Sequence, residues 1–118
     1  MDDDRARLEA SRRGVVDRIA SLSRDLGGIL DASVLVATDD EHDPEGASTA
    51  FERQQVSALL EQAAARLVDI DAALARLDAG TYGACQRCGA TIAPGRLEAR
   101  PSARTCIACA STRHLEVR

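Results

Sequence analysis

Four cysteines carry the site chemistry of this chain, and all lie in one stretch as Cys85-x-x-Cys88 and Cys106-x-x-Cys109, with seventeen residues between the pairs. A tetrahedral Zn²⁺ needs four soft ligands, and two residues between paired cysteines make a tight knuckle that points both sulfurs at one centre. The separation of the two pairs falls inside the window of zinc sites. Gly89 directly follows Cys88, where a residue able to take positive φ lets backbone amides turn towards a thiolate. Cys85, Cys88, Cys106 and Cys109 are therefore the predicted ligands of one structural zinc ion. Four protein ligands leave no position for water, which argues against catalysis by this metal. A disulfide framework would require an oxidising compartment, to which nothing in the sequence points. A thioredoxin-like pair would require one CxxC in a βαβ setting, whereas two CxxC pairs occur here without apolar strand runs. His114 follows Cys109 by five residues, but the four thiols already complete a tetrahedral set.

Stepping out from the cysteines, 118 residues suffice for one small domain, or a domain with an extended appendage. Phe51 and Tyr82 are the only aromatic residues, and Ala and Leu are abundant. Such a chain cannot fill a thick core with rings, so it must pack helices in thin layers and rely on zinc to fold its smallest part. The first residues, MDDDRARLEA, lack a basic segment followed by an apolar run. No window approaches the roughly 18 apolar residues that a spanning helix needs. A soluble, cytoplasmic protein is expected.

Charge is divided unevenly along the chain. Residues 1–79 hold nine Arg against seventeen acids, net −8, while residues 80–118 hold six Arg against two Glu, net +4. Four thiolates and one Zn²⁺ would lower the second figure to about +2. A mildly basic module with so few aromatics does not by itself argue for nucleic-acid binding.

Two apolar series must position the cysteine module. The first runs Leu8, Val15, Ile19, Leu22, Leu26, Ile29, with Arg12 and Ser33 as its failures; the second runs Val56, Leu60, Ala63, Leu67, Ile70, Leu74, Leu77. Their alternating steps of four and three place one stripe on each of two helices that wrap on a left-handed seam. In an antiparallel hairpin, partner numbers sum to a near constant. Leu8 with Leu77, Val15 with Ile70, Leu22 with Ala63 and Ile29 with Val56 sum to 85; Ile19 with Leu67 and Leu26 with Leu60 sum to 86. The turn is then centred near His42 and Asp43, inside the turn-like stretch DDEHDPEGA. From Leu8 to the tip is on the order of 50 Å at a helical rise of about 1.5 Å per residue.

Local signals agree with this register. Asp43-Pro44-Glu45 reads as a helix start, with an N-cap carboxylate, a proline at the first helical position and an acid in the first turn. Gly80 is placed to end the second helix. Gly27-Gly28 weakens the first helix by about 1 kcal/mol per glycine relative to alanine. Residues 33–37 read either as a last helical turn or as a short extended approach to the tip, and a short helix from about Thr105 to His114 closes the module. The expected organisation is an all-α antiparallel coiled-coil hairpin over residues 1–79, with an acidic tip near 39–45, followed by a four-cysteine zinc finger over 80–118. The tip gathers Asp39, Asp40, Glu41, Asp43 and Glu45 with no Arg among them. An acidic loop of this kind is either a solvated turn or a carboxylate cluster carried out to a metal or a basic surface.

The run Gly80-x-Tyr82-Gly83-x-Cys85-x-x-Cys88-Gly89, then Ile92, Arg96-Leu97-x-Ala99-Arg100-Pro101 and Cys106-x-x-Cys109, resembles the C4-type zinc finger of the DksA/TraR family of bacterial RNA polymerase regulators. A long hairpin followed by this finger is also similar to the full-length architecture of the DksA members. The resemblance implies a non-enzymatic transcription regulator whose hairpin enters the secondary channel of RNA polymerase. Its acidic tip would approach the active site and alter promoter complexes, often together with ppGpp, without sequence-specific DNA contact. The family's tip pattern is Asp-x-x-Asp-x-Ala. Aligning its first aspartate on Asp43 places Gly46 and Ser48 at the other two positions, and aligning it on Asp40 places Asp43 and Glu45 there. The alternative from a different class is a zinc-stapled helical adaptor that binds another protein through its helix faces and never meets polymerase. Clustered tip carboxylates distinguish the two, since the adaptor has no use for them.

Overall fold

The computed structural model describes residues 2–37 and 44–116, with side chains over 2–30 and 48–111. Among the described residues four helices account for the fold: α1 (Asp2–Ala37), α2 (Pro44–Ala79), α3 (Pro94–Ala99) and α4 (Ile107–Glu116). Among the described residues the only β pairing is an isolated antiparallel bridge between Ala84 and Thr91. The fold is all-α, as the two apolar series require. Helix α1 continues through Gly27-Gly28 and reaches Ala37, which decides between the two readings of residues 33–37 in favour of helix. Helix α2 starts at Pro44, the position the proline signal marked. Asp2, Asp3 and Asp4 occupy the first turn of α1, where negative charge meets the positive end of the helix dipole.

The chain forms two compact units, one of Met1–Arg12 with Val68–Arg118 and one of Arg13–Leu67. In the first, Leu8, Ile70, Ala73 and Leu77 are buried. The antiparallel pairing there is fixed by two ion pairs across the helices: Arg5 Nη2 donates to Asp78 Oδ1 at 2.6 Å and Arg12 Nε to Asp71 Oδ1 at 2.7 Å. Both pairs are exposed on their side chains, so they orient the helices more than they stabilise them. In the second unit, Val15, Leu22 and Ala63 are buried, while Ile19, Leu26, Ile29, Val56, Leu60 and Leu67 are half-buried. Every fully buried member of the two apolar series is one that the register summing to 85 aligns. The members summing to 86 stay half-covered, because a two-helix seam has no third layer to close over its flanks.

Leu74 shares the half-burial of Leu60 and Leu67, the other α2 members of the row summing to 86. Ala73, which stands outside the apolar series, is buried at 0% exposure, while Arg12 on α1 is exposed and bonds Asp71.

The difference in burial between Leu77 and Leu74, two leucines one turn apart, has a quantitative consequence. Leu77→Ala should cost about 2–3 kcal/mol in urea denaturation, as large-to-small changes in buried positions do, and Leu74→Ala less than half of that. Equal losses would show that Leu74 is packed as fully as Leu77.

Candidate metal centre

The module begins where α2 must stop. Gly80 takes φ +78°, the left-handed conformation that glycine adopts without steric cost. Its N–H bonds the carbonyl of Leu77 at 3.2 Å and the N–H of Thr81 bonds that of Arg76 at 2.9 Å, a Schellman termination. The chain then turns into the first knuckle. Cys85 N–H donates to Ala90 O at 2.8 Å, Gly89 N–H to Cys85 O at 2.9 Å and Ile92 N–H to Gly83 O at 2.8 Å. Gly89, at φ +79°, supplies the backbone reversal that the sequence assigned to it. The second knuckle leads into α4, which starts at Ile107, two residues later than expected.

Beneath the sulfurs lies a small core of Cys85, Ile92 and Leu97, with Tyr82, Ala103, Cys106 and Cys109 packed against it. Helix α3 delivers Leu97. No periodicity in the sequence announces this helix, although Pro94 stands at its start as proline favours. Two further hydrogen bonds hold the chain between the knuckles. The Tyr82 hydroxyl donates to Pro101 O at 2.8 Å and Arg96 Nε donates to Thr105 O at 2.9 Å. Burial raises the pKa of Tyr82, and Asp4 adds to the shift, so the phenol keeps the proton that it donates. Gly83 comes within contact of Leu97, whose Cδ1 would lie 3.8 Å from an added Cβ.

These elements bring the predicted ligands together. The Sγ atoms of Cys85, Cys88, Cys106 and Cys109 all lie within 4.8 Å of one another, and Cys88 Sγ is 3.8 Å from Cys106 Sγ. Four sulfurs around Zn²⁺ at about 2.3 Å are spaced roughly 3.8 Å apart at a tetrahedron's edges, whereas a disulfide needs about 2.05 Å. The donor set fits zinc and all four thiols are free of disulfides. Their protons show the same demand. The Cys85 thiol is drawn down to about 6, first by the backbone N–H of Cys88 and then by that of Cys106. The Cys109 thiol is pushed up to about 12, first by its hydrogen bond with the Cys106 side chain and then by burial. Sulfurs this close cannot all ionise unless a cation sits among them, and a divalent ion removes that penalty.

The predicted tip falls elsewhere. Asp39, Asp40, Glu41 and Asp43 lie outside the described residues; Glu45 lies in α2 and His114 in α4, with their side chains outside the described set.

Helices paired antiparallel and closed by a four-thiol module define a class of small zinc-containing helical proteins, and one structural Zn²⁺ is its cofactor. Residues 80–113 match the prokaryotic dksA/traR C4-type zinc finger. Over 46 residues the chain is 50% identical to a protein of Aquifex aeolicus (strain VF5) described as uncharacterized; the match spans 39% of this chain and only 32% of that protein. The fold is similar to that of transcription factor DksA2 from Pseudomonas aeruginosa, with 29% identity and a TM-score of 0.58 over 96% of this chain and 87% of that one. No helix among the described residues is long and apolar enough to cross a membrane.

The hydrogen bond from Tyr82 to Pro101 gives a test of how the finger is braced. Tyr82→Phe should keep a full complement of zinc and lower finger stability by about 1 kcal/mol. Thermal unfolding of the zinc-loaded protein, with the rate of zinc transfer to a chelator alongside, measures both. Unchanged melting and unchanged transfer would show that the bond does not brace the module.

Proposed function

We propose that this chain is a zinc-containing transcription regulator that binds RNA polymerase through its secondary channel. In this reading residues 1–79 are the inserting hairpin and residues 80–118 the finger. Cys85, Cys88, Cys106 and Cys109 hold the structural zinc, and Asp39, Asp40, Glu41, Asp43 and Glu45 form the working tip. The observation that carries the reading is the likeness to a transcription factor, DksA2, across nearly the whole chain, coupled to a finger of the dksA/traR type. The charge pattern supports it, since five acids without an internal Arg suit an electropositive, metal-containing cleft. The metal's part is structural: four sulfurs leave no ligand position for a substrate, so regulation proceeds by binding and not by chemistry at zinc. The ppGpp alarmone would act on the complex with polymerase, and no base-specific contact with DNA is needed.

Charge and helix capping can be separated at the tip. Asparagine caps a helix as aspartate does, so Asp43→Asn combined with Asp40→Asn should leave helix content unchanged and weaken the effect on transcription initiation in a purified polymerase assay. If the wild-type protein neither binds core polymerase nor alters initiation at low salt, where charge attraction is strongest, the regulator reading fails and the adaptor takes its place.

A further inference from the structure

Phe51 is the only phenylalanine of the chain, and 67% of it is exposed. It stands in the third turn of α2 beside an open cleft of about 510 Å³ that Ser48, Glu52 and Gln55 complete. Next to this cleft, and sharing Glu52 and Gln55 with it, runs a groove of about 570 Å³ whose floor includes Gly28 and Ile29 of α1 and Val56 of α2. All these residues belong to the same compact unit. Gly28 has no internal reason to be glycine: it is helical, its φ is not positive, and a Cβ built on it meets nothing within 4 Å. Gly14 and Gly27 are open in the same way, but only Gly28 of the three lines this groove, where a bare backbone permits close approach. A projecting aromatic ring and a groove floored by glycine thus lie side by side on one face.

We infer that this face is the apolar anchor of the hairpin on RNA polymerase: Phe51 enters a pocket of the polymerase, and the groove over Gly28 receives an apolar side chain from it. This rests on the polymerase reading above. Charge identifies the occupant. The acidic run from Asp39 to Glu45 stands six residues before Phe51 and carries five negative charges without a neighbouring Arg. A partner that seats here therefore joins an apolar patch to a basic surface. A second copy of this chain offers the same acids in return, whereas the basic cleft invoked for the tip offers the opposite charge. The rim of the groove, Arg24, Asp25 and Glu52, is mixed in sign and admits an apolar group without leaving a lone charge buried. Phenylalanine is among the aromatic residues enriched at protein interfaces.

Binding of purified core polymerase to the zinc-loaded full chain, followed by interferometry at low salt, tests the inference. Phe51→Ala should weaken binding roughly 30-fold. Gly28→Leu should weaken it at least about tenfold while raising the melting temperature, because leucine is the better helix former and a Cβ at this position meets nothing within 4 Å. Helix content and zinc content should stay at wild-type values in both. Wild-type binding that neither substitution changes would overturn the inference and leave the polymerase reading standing. Absence of wild-type binding would overturn both. Sedimentation that finds a wild-type dimer abolished by Phe51→Ala would overturn it as well, by assigning the face to a second copy.

Discussion

Everything in the C-terminal third of this chain depends on the repulsion between four sulfurs held within 4.8 Å of one another. Backbone N–H groups of Cys88 and Cys106 lower the pKa of the Cys85 thiol, whereas a hydrogen bond with the Cys106 side chain and burial raise that of Cys109. Once one sulfur is ionised, its neighbours donate to it and resist ionising themselves. A divalent cation converts this competition into mutual attraction, because each thiolate is then stabilised by the same charge. The apolar core beneath, Cys85, Ile92 and Leu97 with a few half-buried neighbours, is far too small to hold a module of this size together unaided. The ion supplies the missing cohesion, so the knuckles, the α3 turn and the docking of Tyr82 on Pro101 are best understood as consequences of metal binding.

The helices obey a different constraint. Two helices bury one narrow stripe, and the described side chains divide accordingly into a fully covered row and a half-covered one. Such a hairpin owes its order to periodicity and orientation rather than to core volume. It also leaves most of its surface free, including a phenylalanine that a thicker fold would have enclosed. For a protein proposed to act inside a cleft of a larger one, exposed helix faces are the working material.

What could be read from the sequence follows from how local each determinant is. Zinc ligands are legible because a knuckle is built from four consecutive residues, so Cys85 with Cys88 and Cys106 with Cys109 declare their geometry without reference to the rest of the fold. Gly80 and Gly89 are legible for the same reason, each being required by a single turn. The apolar stripes were legible because their alternating steps repeat over several turns, and Leu8, Val15, Leu22, Ala63, Ile70 and Leu77 of those stripes are buried. The burial of Ala73 was not legible, since an alanine outside the apolar series carries no periodic signal for it. Nor was the bond from Tyr82 to Pro101, which spans nineteen residues and depends on how the knuckles pack. Helix α3, six residues long, is too short to show a period. Its amphipathic face amounts to Leu97, and only the core shows why that residue is there.

The central claim is that one zinc ion bound by four sulfurs organises the finger, and X-ray absorption at the zinc edge of the purified protein addresses it most directly. The account predicts one zinc per chain with a single shell of four sulfur neighbours at about 2.3 Å. A shell containing nitrogen or oxygen neighbours, or a protein that folds its finger without zinc, would contradict it.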